Sequence, residues 1–156
     1  MKAKMIFAAV LALAGAVWAG QTAETTGAVE KEIASLEKTF NALYAANDLT
    51  PYFAFYAKDL TQFLPEGRTD LATYQKDWTA YIAAGNRTEA AEISDLHVQV
   101  GPSGDTAVAS YLLHVKSRTA KGEAADEYFQ ESDVFFKREG AWKIVHLHYS
   151  PAPKQK

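Results

Sequence analysis

The stretch Glu131-Ser-Asp-Val-Phe-Phe-Lys-Arg-Glu-Gly-Ala-Trp-Lys-Ile-Val-His-Leu-His-Tyr-Ser150 decides how this chain is read. It describes two antiparallel strands around a tight Glu139-Gly140 turn. Side chains alternate along a strand, so Trp142, Ile144, His146, His148 and Ser150 share one face. Pairing across the turn sets odd positions of the first strand beside even positions of the second. Glu131 and Asp133 then join the two histidines, on a surface otherwise built from Phe129, Phe135, Trp142 and Ile144. Two carboxylates, two imidazoles and a hydroxyl among apolar residues predict a pocket wall that carries chemistry.

Working outward, the residues ahead of the hairpin change period. Val29, Ile33, Leu36, Phe40, Leu43 and Tyr44 fall at spacings of three and four, which predicts an amphipathic helix ending near Asn47. Asp48 as cap and Pro51 in the first turn predict a second, short helix over Leu49–Tyr56. Leu60–Leu64 reads as a short strand stopped by Pro65-Glu-Gly67. Thr69 or Asp70 caps a third helix carrying Leu71, Tyr74, Trp78, Tyr81 and Ile82, closed by Gly85-Asn86. From there the period is two: Ile93–Val100, Thr106–Arg118, Glu127–Arg138 and Ala141–Tyr149 read as four strands. Helices first and a meander after is an α+β pattern. The predicted fold is three N-terminal helices packed on a curved antiparallel sheet, a cone with an internal pocket.

The first nineteen residues read as a signal peptide. Lys2 and Lys4 form a positive n-region, Met5 to Val17 an apolar h-region, and Val17-Trp18-Ala19 a cleavage site. Export to a bacterial periplasm is the simplest expectation. Residues 20–28 read as a flexible lead-in, 29–152 as one domain and 153–156 as a tail. Losing Lys2 and Lys4 takes the formal charge from −3 to −5, which disfavours nucleic acid or an anionic membrane as partner. With no cysteine, disulfides and thiolate chemistry are excluded. No sequence feature calls for a cofactor.

The run Gly140–Ser150 after Val134–Arg138, with Leu96–Gly101 and Gly104–Ala109 before it, resembles the nuclear-transport-factor-2-like superfamily. The resemblance is closest to the SnoaL-like branch and to the association domain of calcium/calmodulin-dependent protein kinase II. It implies the cone fold and a homodimer or larger homo-oligomer, and it spans isomerases, dehydratases and non-enzymatic hubs. Aligned on that association domain, a cavity arginine is Asp133 here and another is Leu113. Those changes imply a neutral or cationic ligand rather than an anion.

Two kinds of chemistry fit the hairpin. Asp133 opposite His146, with Glu131 and His148 as a second pair, would form an acid–base group suited to isomerisation or dehydration. Equally, strand histidines and carboxylates satisfy one another at sheet rims with no catalytic role. His146 and His148 with a carboxylate would also supply three metal ligands, but no fourth ligand is legible and no metal is assigned. Tyr56, Phe63, Tyr74, Trp78, Trp142 and Ser150 are the candidate ligand-binding residues. Val134, Phe136, Val145, Leu147 and Tyr149 make the opposite face apolar as well, and nothing left in the chain covers it. That predicts a homodimer packed sheet to sheet. The expected function is an exported protein binding a small apolar or neutral molecule, with isomerase- or dehydratase-type activity as one form and a non-enzymatic assembly domain as the alternative.

Overall fold

The computed structural model describes residues 14–153, with side chains from residue 25 onward. Three helices, α1 (Ala14–Ala46), α2 (Leu49–Phe53) and α3 (Leu71–Ala83), accompany six strands. These are β1 (Tyr56–Leu64), β2 (Gly67–Asp70), β3 (Arg87–Val100), β4 (Thr106–Arg118), β5 (Ala124–Arg138) and β6 (Ala141–Pro151). They form one curved sheet in the order β2-β1-β6-β5-β4-β3. The α+β class stands, but the sheet is mixed rather than wholly antiparallel. β1 lies parallel to β6 because α2 and the loop before it bring the chain back in the same sense as the last strand.

The predicted stripe of α1 buries Ile33 and Phe40, and it also buries Glu37 and Asn41. The helix stops where Asn47 takes a left-handed φ of 56°. The Asn47 amide then clasps β3, donating to the Thr88 carbonyl at 2.8 Å and accepting from the Thr88 N–H at 2.9 Å. This ties the end of α1 to the start of the sheet. Residues 20–28, read as a flexible lead-in, continue α1 without a break. Their alanines and other small residues offer no strong helix stop. The signal-peptide reading falls partly outside the described residues. Among those described, no helix is long and apolar enough to cross a membrane.

The second helix is shorter than its pattern suggests. It ends at Phe53, and Tyr56 opens β1 instead. Asp48 occupies the N-cap position but makes no capping bond. Asp70 does cap α3, accepting from the Thr73 N–H at 2.8 Å. The strand β2, absent from the periodicity reading, is four residues hairpinned against β1.

One irregularity controls everything near the site. The hairpin turn is as predicted, with Glu139 at φ 53° and Gly140 at φ 81°. Pairing then runs regularly to Phe135 opposite Ile144, but the next pair is Val134 opposite His146. Val145 is therefore an extra residue, a β-bulge. The other neighbour breaks at the same level. On β1 the register jumps from Tyr56 opposite Ile144 to Thr61 opposite His146. The sheet bends here, and every side chain of β6 beyond Val145 changes face. Trp142, Ile144, Leu147 and Tyr149 point inward, with Phe129, Glu131, Asp133 and Phe135 of β5. His146, His148 and Ser150 point outward.

Candidate functional site

Between α1 and the inner sheet face lies a polar group inside the apolar core. α1 contributes Glu37 and Asn41, β4 contributes Tyr111, and β5 contributes Glu131 and Asp133, all of them buried. Asn41 Nδ2 donates to the Tyr111 hydroxyl at 3.2 Å and to the Glu37 carbonyl at 3.1 Å. The Tyr111 hydroxyl in turn donates to Asp133 Oδ2 at 3.1 Å. Glu37 Oε1, Glu37 Oε2 and Asp133 Oδ1 are buried with no donor offered to them. The charge of Asp133 acts on Glu37. Two ionised carboxylates buried side by side repel, and a proton held on one of them relieves the repulsion.

The electrostatics agree. Burial is the largest influence on all three acids and favours their neutral forms. It lifts Asp133 to about 7, against a partial pull downward from the hydrogen bonds of Tyr111 and Glu37. Burial and then the charge on Asp133 push both Glu37 and Glu131 well above the usual carboxylate range. The partners of these acids are tyrosines, an amide and each other, with no base among them.

An aromatic wall adjoins the acids. The Tyr52 hydroxyl bonds those of Tyr56 and Tyr74, each at 2.8 Å. Tyr44 stacks on Trp78 at 5.4 Å, and Trp78 on Tyr81 at 4.9 Å. The charge of Glu131 acts on Tyr44, Tyr56, Tyr74 and Tyr149. α3 supplies Tyr74, Trp78 and Tyr81, yet none of its residues is buried. The wall is thin on that side.

The predicted residues thus divide. Glu131 and Asp133 are on the inner face, as expected. His146 and His148 are on the outer face, so the pairs Asp133–His146 and Glu131–His148 do not form. The bulge at Val145 is the reason: parity counted from the turn holds to Ile144 and is reversed beyond it. His146 Nδ1 lies 2.7 Å from the Thr61 hydroxyl instead, and both imidazoles sit beside the Phe63 ring. Among the candidate ligand-binding residues, Tyr56, Tyr74 and Trp78 come together on the inner side. Trp142 is also inner, under Lys137 at 5.3 Å. Phe63 and Ser150 are outer. Among the described residues, no group of histidines and acids could hold a metal ion.

The interface residues divide by the same rule. Val134 and Phe136 are outer, while Leu147 is 3% exposed and belongs to the core with Tyr149. On the outer face Ser110, Ser132 and His148 line a depression of about 280 Å³ with His97 and Asp95. The same register puts His97, Ser110, Ser132 and His148 in one cross-strand row. Sequence reasoning missed Glu37, Asn41 and Tyr111. Glu37 and Asn41 lie four residues apart within the apolar stripe of α1, and an acid at a core position was the available signal.

Comparison with known proteins follows the same architecture. Residues 29–153 match the family described as the calcium/calmodulin dependent protein kinase II association domain. Calcium/calmodulin-dependent protein kinase type II of Caenorhabditis briggsae is 27% identical over 127 residues, which is 81% of this chain and 24% of that protein. The chain therefore spans about a quarter of that relative's length. The association domain of the Caenorhabditis elegans kinase superposes with a TM-score of 0.67 at 22% identity, covering 81% of this chain and 98% of that one. An NTF2-like protein of unknown function in nutrient uptake from Rhodospirillum rubrum superposes at 0.68 and 22% identity, covering 78% and 98%. At these identities the structural likeness establishes the fold.

Proposed function

This chain belongs to the calcium/calmodulin dependent protein kinase II association domain family, and we propose that it is a homo-oligomeric association module packed through the outer face of its sheet. One observation carries this. Among the described residues the four exposed large hydrophobic ones, Phe63, Val108, Tyr128 and Phe136, all lie on that face. They come from β1, β4 and β5, so the patch crosses the sheet, and Val134 continues it. Apolar surface of this breadth is costly to leave in water, and a second copy is the economical cover. The name of the matched family, an association domain, supports the same reading. Sedimentation at micromolar concentration tests it: the wild type runs as a dimer or larger. A wild-type monomer sinks the proposal.

A second reading rests on the inner face. The buried carboxyls of Glu37 and Asp133, with oxygens that meet no hydrogen-bond partner and beside an aromatic wall, favour binding of a small molecule there. Isomerase- or dehydratase-type proton transfer would then run through Glu37 and Asp133 rather than through a histidine. A molecule retained by the purified protein in native mass spectrometry is the expected result. We also propose export by way of residues 1–19, with the mature chain starting at Gly20 on N-terminal sequencing.

A further inference from the structure

We infer that assembly through the outer face is controlled by pH, with His146 and His148 as the proton-binding groups whose charging separates the copies. The inference rests on the association reading above and names how that contact is regulated. Its first ground is position. β6 runs third in the sheet, between β1 and β5. On the outer face the register sets Thr61, His146, Val134 and Val108 in one row across the strands, and Phe63, His148, Ser132 and Ser110 in the next. Both imidazoles thus stand inside the exposed apolar patch, beside the Phe63 ring at 6.1 and 6.3 Å. A second copy seated on Phe63, Val108 and Phe136 takes both away from water.

The second ground is the lack of a countercharge. Among the described residues, the histidine–acid pairs are those of His97 with Asp95 and of His114 with Glu92 and Asp126. His146 meets the Thr61 hydroxyl at 2.7 Å, and neither it nor His148 forms an ion pair. From β5 they face Val134 and Ser132, while Glu131 and Asp133 beside these point to the other side of the sheet. From β1 they face Thr61 and Phe63, which β2 backs with Asp70 and Arg68. Asp59 of β1 is taken by Arg138 at 2.6 Å, and the Asp70 carboxylate caps α3. The other charged side chains of β1, β2 and β6 are Lys58, Arg68 and Lys143, all positive. Two imidazolium groups would therefore stand side by side among like charge and lose their hydration on contact, which opposes assembly.

Imidazoles take up protons in mildly acid water. With one imidazole per copy required neutral in the contact, a dimer gives up two protons on forming. Its dissociation constant then rises about a hundredfold per pH unit on the acid side and is level on the alkaline side. The test is sedimentation of the full protein from pH 5.5 to 8 at constant ionic strength, with near-ultraviolet circular dichroism to report the fold. Wild type is expected to assemble at pH 8 and, still folded, to show a dissociation constant about a hundredfold higher at pH 5.5. In a variant carrying His146→Gln and His148→Gln, the ratio between the two pH values falls to about threefold or less, while one carrying His97→Gln and His114→Gln keeps the wild-type ratio. An assembled wild type with one dissociation constant throughout overturns the inference and leaves the association reading standing. So does a ratio lost in the second variant and kept in the first, or acid dissociation that comes with loss of the dichroism. Wild-type monomer at every pH removes both. Should the first variant fail to assemble at all, calorimetric dilution of the wild type at pH 6 in two buffers of different ionisation enthalpy decides: uptake of about two protons per dimer is expected, and no uptake overturns the inference.

Discussion

The two faces of β5 and β6 come from the same residues in alternation, yet they have opposite chemistry. The inner face holds buried acids with no base bonded to them, its lysine, Lys137, lying instead over Trp142 near the end of β5. The outer face holds all four histidines of the chain: His97, His114, His146 and His148. His114 shows how the outer ones are occupied. It stacks flat on Tyr128 at 4.3 Å and meets Asp126 at 2.6 Å, an acid on its own side. Acids and imidazoles that look adjacent in sequence are separated by the thickness of a sheet. Burial pushes the inner acids toward their neutral forms, while outer histidines meet surface partners, His114 an acid and His146 the Thr61 hydroxyl.

Removing the cause of this separation is the harshest way to break it. Deleting Val145 removes the bulge, so His146 and His148 would turn inward and Leu147 and Tyr149 outward. Exposing two large apolar side chains costs about 2 kcal/mol each, and burying two imidazoles beside nothing prepared for them costs more. The total is comparable to the stability of a small domain. The expected result is loss of the cooperative unfolding transition in urea. A milder form compares neighbours: Leu147→Asp should destabilise by about 4 kcal/mol, and His148→Asp by less than about 0.5 kcal/mol. Equal effects would show that the faces are misassigned.

The next prediction concerns pH. The Asp133 carboxyl has an ordinary value of 3.8 and is lifted to about 7 in the fold. The folded form binds this proton more tightly than the unfolded chain does. Its contribution to stability is therefore full below about 4, declines as pH rises toward 7, and is level above. The decline is about 4 kcal/mol if Asp133 acts alone. Exposed acids run the other way: Asp59, Glu89 and Asp126 are held below the usual range by Arg138, Arg118 and His114. Their contribution is lost as pH falls through those depressed values. Maximum stability should lie near pH 4 to 5 by denaturant melts, and Asp133→Asn should flatten the fall above it.

Smaller effects test the outer face. Phe136→Glu places charge in the proposed contact and should weaken assembly at least tenfold, about 1.4 kcal/mol, by sedimentation, with little change in the melting of the monomer. Thr61→Val removes only the hydroxyl beside His146 and should cost about 1 kcal/mol.

Much of this architecture is legible in the residues. The strand β4 begins and ends where its alternation does, and the Glu139-Gly140 turn has the backbone its composition demands. The inward aim of Glu131, Asp133, Trp142 and Ile144 follows from parity alone. The bulge is not legible, because Val145 is a good strand residue with no glycine or proline beside it. It coincides with a break in β1, far earlier in the chain, whose own register shifts against β6 at the same level. A local pattern carries no trace of so distant a partner. Glu37 is a different case: its position in the apolar stripe was visible, and its significance depends on Asp133, which only the fold brings to it.

The parallel pairing of β1 with β6 has a consequence for how the molecule is made. The last strand of the chain lies in the interior of the sheet, between β1 and β5. Until β6 is available, the β1–β2 hairpin has no strand joining it to the rest of the sheet. Contacts joining Tyr56 to Ile144 close a very long loop, and such contacts form late. The sheet thus cannot be completed until β6 has been made, and the unpaired edge of β5 stays exposed to other chains during the wait.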